Sequence, residues 1–142
     1  MAAIKRRAEA VWKGGGKDGS GTLNAQSGAV SNVPYSAGMR FGEEKGTNPE
    51  ELLAAAHAGC FSMALGFMLQ NAGFVATRID TRAEASMTTD GGPSVTGIHL
   101  IVKASVPNLD AAKFAEIAEN AKKGCVISRV LSIPVTLDAS LA

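Results

Sequence analysis

Between Leu52 and Leu69 the chain carries no charged residue, yet the run holds a histidine, His57, and a cysteine, Cys60. As a single helix it would span about 27 Å, which just reaches the length needed to cross a bilayer. Its start is marked by local chemistry: Asn48 as N-cap, Pro49 at the first helical position, and Glu50 and Glu51 near the positive end of the dipole. Gly73 supplies a stop. A helix that is apolar all round must be covered all round, and one sheet covers only one side. The many alanines, the polar His57 and Ser62, and flanking amphipathic strands that need a cover argue against a membrane. They favour a second copy of the chain instead. Ala54, Ala55, Ala56, Ala58 and Gly59 would let two such helices approach closely, so an obligate homodimer with these helices at its centre is expected.

The rest of the pattern is that of an α+β protein. "IKRRAEAVWKG" alternates, with Ile4, Arg6, Ala8, Ala10 and Trp12 on one side, and reads as a first strand. "GGGKDGSG" is a turn, and "TLNAQSGAV" a weaker returning strand. "VPYSAGMRFGEEKGTNP", which contains Arg40, reads as an extended excursion without an element of its own. After the apolar helix, Val75 to Met87 and Ile98 to Val106 alternate on either side of "DGGPS", as a hairpin does. "LDAAKFAEIAENAKKG" puts Phe114, Ile117, Ala118 and Ala121 on one helical face. "CVISRVL" is a short turn or helix, and "IPVTLDA" a last strand. Mainly antiparallel sheets packed on a long central helix are expected, in one domain over residues 1–142.

A net charge of +1, from 14 basic and 13 acidic residues spread along the chain, offers no footprint for a nucleic acid. The opening "MAAIKRRAEAVWKGGG" has the charge of a signal peptide without its apolar run, so a cytoplasmic protein is expected. Its two cysteines are then thiols or a transient redox pair, and their spacing fits no zinc knuckle and no CxxC motif. Taken singly, Cys60 reads as a small buried hydrophobe and His57 as a packed histidine satisfied by one hydrogen bond. Cys125 has the more reactive local chemistry, because it follows Lys122 and Lys123 and can open a short helix, and both features lower thiol pKa values.

Three segments taken together say more. "PYSAGMRF", "KGTNPEELLAAAHAGCFSMAL" and "AKKGCVISRVL" resemble, in order and spacing, the signature segments of the OsmC/Ohr peroxide reductases; the Trp12 strand and "SGAV" resemble the OsmC branch. The resemblance implies an OsmC-like fold, an intertwined homodimer, and a thiol peroxidase for organic hydroperoxides with no metal or organic cofactor. It implies Cys60 as the peroxidatic cysteine, Cys125 as its resolving partner, Arg40 as the residue that stabilises the thiolate, and Glu50 as the acid that holds Arg40. Glu50 is preferred over Glu51 because it stands ten residues before Cys60. An external dithiol, of lipoyl type or another small kind, would then reopen a Cys60–Cys125 disulfide.

Burial raises a thiol pKa, so an apolar site needs a guanidinium to hold a thiolate, and the dipole of the long helix fades well before Cys60. On one straight helix Glu50 and Cys60 lie roughly 15 Å apart, so the Arg40 and Glu50 that meet a given Cys60 are expected from the partner subunit. The apolar neighbours Phe61, Met63, Ala64, Met39 and Phe41 suit an alkyl tail at about 0.8 kcal/mol per buried methylene, although Phe61 reads better as core. Two other functions use the same residues. One is a Cys/His hydrolase or acyl transferase built on Cys60 and His57, for which no orienting acid is evident. The other is a non-catalytic dimeric binding protein for a small apolar ligand, with both thiols passive.

Overall fold

The computed structural model describes residues 2–142. The chain forms two compact units, Met1–Leu52 and Leu53–Ala142.

The first unit is a three-stranded antiparallel sheet, in the order β1 (Ala8–Lys13), β2 (Ser20–Ala25) and β3 (Val33–Ser36), followed by the short helix α1 (Ala37–Phe41). β3 and α1 lie where the sequence reads as an excursion without elements. Pro34 and the neighbouring glycines hide them, but β3 is an edge strand, where a proline's missing N–H costs no ladder bond. α1 is too short to show a period and is started by Ser36, whose hydroxyl accepts from the Met39 N–H at 3.2 Å. Trp12 and Tyr35 pack with ring centroids 5.2 Å apart. Among the described residues, this unit buries no large apolar side chain.

Helix α2 (Pro49–Asn71) begins in the first unit and continues through the second. Its start follows from the sequence: the Asn48 side chain accepts from the Glu51 N–H at 2.8 Å. Its end does too, with Gly73 at φ +92° and the Phe74 N–H returning to the Leu69 carbonyl at 2.8 Å. By length and composition it is apolar enough to cross a membrane. In this chain one stripe of it, His57, Phe61, Leu65 and Leu69, is buried.

The second unit carries β4 (Arg78–Thr88), β5 (Ser94–Ser105) and β6 (Val135–Leu141), with α3 (Ala111–Gly124) and α4 (Val126–Val130) between the last two strands. β4 and β5 form the expected hairpin, with a register shift at Ser86/Met87. β6 pairs with the other side of β5 in parallel, the one departure from the antiparallel pattern; the α3–α4 crossover carries the chain back far enough to allow it. The core joins the α2 stripe to Ile98, Leu100, Val102 and Ala104 of β5 and to Phe114, Ile117, Ala118 and Ala121 of α3. These are the faces that the alternation and the helical period define. Truncating one central member, as in Leu65→Ala, is expected to cost roughly 2–5 kcal/mol.

Candidate active site

Two short spacings face each other in the second unit. His57 and Cys60 stand one turn apart on α2, while Cys125 and Ser128 stand one turn apart at the start of α4. Cys125 ends α3, where its N–H reaches the Ala121 carbonyl at 2.9 Å, and it is also the N-cap of α4, its carbonyl accepting from the Arg129 N–H at 3.0 Å. The Cys60 thiol meets the Cys125 thiol, and His57 Nε2 lies 2.7 Å from Ser128 Oγ. Both cysteines are free thiols; Cys60 is half-buried and Cys125 buried.

The surroundings separate the two sulfurs. Burial pushes the Cys60 thiol up, but the backbone N–H groups of Ile127 and Val126 and the Cys125 thiol outweigh it, leaving Cys60 below the ordinary thiol value. For Cys125, burial is again the largest influence and prevails; the Cys60 sulfur adds to the rise, against the opposing N–H and hydroxyl of Ser128 and the N–H of Ile127. Local sequence chemistry favours Cys125 as the reactive thiol, and the structure reverses that order. The N–H groups at the start of α4 do lower a thiol pKa, as expected of a helix start, but their net effect falls on Cys60, which reaches them from another helix.

Arg40 and Glu50 lie together in the first unit. Arg40 donates from Nη2 to Glu50 Oε1 at 2.7 Å and from Nε to both carboxylate oxygens at 3.1 and 3.2 Å. Hydrogen bonding to Glu50 raises the Arg40 pKa further, against a smaller opposing effect of burial. The guanidinium also lies 5.1 Å from the centre of the Phe41 ring. Glu51 has a different partner, accepting from Thr47 Oγ1 at 2.9 Å. Beside this ion pair a cavity of about 260 Å³ is bounded by Trp12, Tyr35, Ser36, Arg40, Phe41 and Pro49. Among the described residues, no group of three or more His, Cys, Asp or Glu side chains is placed to hold a metal ion.

The family model for OsmC-like proteins matches residues 42–140. This chain belongs to the OsmC-like family. Among its OsmC relatives is Peroxiredoxin OsmC of Escherichia coli (strain K12), 48% identical over 139 residues, with 97% of each chain covered. The solved organic hydroperoxide resistance protein OhrB of Bacillus subtilis shares 25% identity at a TM-score of 0.72, over 96% of this chain and 98% of that one. An OsmC structure from Legionella pneumophila is alike in fold, at 22% identity and a TM-score of 0.73, over 100% of this chain and 99% of the other. The OsmC-like fold expected from the sequence is therefore the fold the chain has.

Sequence reasoning passed over Ser128. Its only signal is the spacing of three from Cys125, shared with the His57–Cys60 spacing, and that gains meaning only once α2 and α4 are side by side.

Proposed function

We propose that the chain is a two-cysteine peroxidase that reduces organic hydroperoxides to alcohols. The observation that carries this reading is the Cys60–Cys125 contact, with one thiol held below its ordinary pKa and the other pushed above it. Kinship with Peroxiredoxin OsmC makes the chain a peroxidase. The Cys60 thiolate attacks the peroxide: an S–O bond forms, the O–O bond breaks, and the alkoxide leaves as the alcohol once protonated. Cys60 is then a sulfenic acid, and Cys125 condenses with it to a disulfide and water. An external dithiol, of lipoyl type or similar, restores both thiols by exchange in the cytoplasm.

A second copy of the chain completes the site in this reading. Met63 and Phe67 are 67% and 60% exposed on α2, and with Ala55 and Gly59 they form an apolar stripe opposite the buried one. Among its described residues the first unit buries no large apolar side chain of its own, so it needs surface from elsewhere. An intertwined homodimer answers both needs. The second copy's Arg40–Glu50 pair would then stand at Cys60, holding the thiolate and a peroxide oxygen. The apolar cavity beside Arg40 would take the alkyl tail.

The alternatives are less well supported. A hydrolase would need His57 on Cys60 and an acid behind it, whereas His57 bonds Ser128 and its Nδ1 has no partner among the described residues. A passive binding protein leaves the lowered pKa of Cys60 without a role. Turnover of cumene hydroperoxide and hydrogen peroxide with dihydrolipoamide tests the proposal. A preference of at least ~10-fold for the organic substrate is expected from a few buried methylenes, and equal rates would contradict it.

A further inference from the structure

We propose that His57, acting through the Ser128 hydroxyl, takes the proton from Cys125 when the disulfide closes. This rests on the two-cysteine reading above. Cys125 is 1% exposed and His57 0% exposed, so water is poorly placed to deprotonate that thiol. The resolving sulfur must nevertheless lose a proton, since the thiolate is the nucleophile in disulfide formation. Ser128 stands one turn after Cys125, where a residue at this offset faces the N-cap side chain, and its hydroxyl acts on the Cys125 thiol. The same oxygen lies 2.7 Å from His57 Nε2. Cys125, Ser128 and His57 thus stand in sequence, with the half-buried Ser128 between two buried groups and a base at the end.

The imidazole is suited to that end. Burial pushes its pKa below the ordinary value, so it is neutral near pH 7 and free to accept. The titratable groups that meet this path are Cys60, from α2 itself, and Cys125, from the start of α4. Among the described residues, no charged side chain of another element contributes to the His57 shift. Nδ1 is buried with no hydrogen-bond partner among the described residues, so a proton taken up at Nε2 returns by the same nitrogen, through Ser128.

The step balances without a further reagent. The Cys125 S–H proton moves to Ser128 as the Ser128 proton moves to Nε2. The Cys125 sulfur attacks the sulfenic sulfur of Cys60; the S–S bond forms and the S–O bond breaks. Hydroxide leaves and, with the returned proton, becomes water. The Cys125 sulfur is oxidised and the Cys60 sulfur reduced. His57 is a positioning residue here, because it reaches the reacting thiol only through Ser128.

The test separates the two steps. Reduced protein is mixed with one equivalent of cumene hydroperoxide between about pH 5.5 and about pH 9. Samples are quenched with dimedone and iodoacetamide, and mass spectrometry counts sulfenic acid and disulfide in the wild type, His57→Gln, Ser128→Ala and Ser128→Thr. Ser128→Ala and His57→Gln should slow closure at neutral pH by roughly 10²-fold relative to Cys60 oxidation in the same sample, with sulfenic acid accumulating. Their closure should recover steeply with rising pH, whereas the wild-type rate levels off early. Ser128→Thr, which keeps a hydroxyl, should close at near the wild-type rate. If His57→Gln does not fold, the Ala and Thr pair at position 128 decides. Folded variants that close with the wild-type rate and pH profile would overturn the relay alone. A wild type whose Cys60 is never oxidised would overturn the two-cysteine reading and the relay with it.

Discussion

The thiols of Cys60 and Cys125 share one backbone donor, the N–H of Ile127. Two sulfurs in contact cannot both carry charge cheaply, so their surroundings decide which one ionises. Cys125 is the more deeply buried. Cys60 adds the Val126 N–H to the shared one, and its pKa is the one that is lowered.

Removing one of those donors should weaken the thiolate without unfolding the chain. Val126 is the first residue of α4, the helical position where proline is best tolerated, and Cys125 before it has φ −57° and ψ 129°, which a following proline accepts. Val126→Pro is expected to raise the Cys60 pKa and to slow peroxide reaction at neutral pH by about tenfold. The pH dependence of iodoacetamide alkylation at Cys60 is the measurement. An unchanged alkylation profile would show that this N–H does not hold the charge.

The Arg40–Glu50 pair is expected to matter for rate far more than for stability. The Arg40 side chain is 38% exposed and that of Glu50 11%, and with one partner open to solvent the pair contributes on the order of 1 kcal/mol. Glu50→Gln should therefore leave the urea midpoint nearly in place. With the guanidinium no longer held, Cys60 oxidation should slow by about tenfold. A large loss of stability with an unchanged rate would make the pair structural.

The long helix supplied most of what was legible in advance, because caps and periodicity are local. Asn48, Pro49 and Gly73 act where their chemistry places them, and the Phe114–Ala121 face of α3 is buried as its spacing requires. β3 and α1 were hidden by Pro34 and glycines, which signal breaks but are compatible with an edge strand and a five-residue helix. The parallel direction of β6 depends on where the crossover returns the chain, which no local pattern records. The opposite pKa shifts of the two thiols escape local chemistry for a similar reason: the N–H groups that lower the Cys60 pKa belong to a helix distant in sequence.

The exposed stripe on α2 predicts the assembly. Wild-type protein should sediment as a dimer, and Phe67→Asp should weaken association by at least ~10²-fold, since it removes two large apolar side chains from a symmetric contact. Peroxide turnover should fall as the monomer appears. A fully active monomer would contradict a site shared between copies.

His57 predicts an acid limit to stability. Its folded pKa is lowered by burial, so below about pH 6.5 the unfolded chain binds a proton that the folded chain resists. The contribution is fully present above that pH and is lost as pH falls towards the lowered folded value, at up to about 1.4 kcal/mol per pH unit. Urea midpoints at pH 7.5 and pH 5.5 should differ in the wild type and differ less in His57→Gln. Equal differences would show that acid acts elsewhere.

The most direct test is a titration of reduced protein with cumene hydroperoxide, counting thiols and mapping the product by mass spectrometry, with Cys60→Ser and Cys125→Ser alongside. Loss of both thiols per chain, a Cys60–Cys125 disulfide, no reaction in Cys60→Ser, and a sulfenic acid held at Cys60 in Cys125→Ser are the expected results. Survival of both thiols in excess peroxide would contradict the two-cysteine reading and leave Cys60 and Cys125 as packing residues.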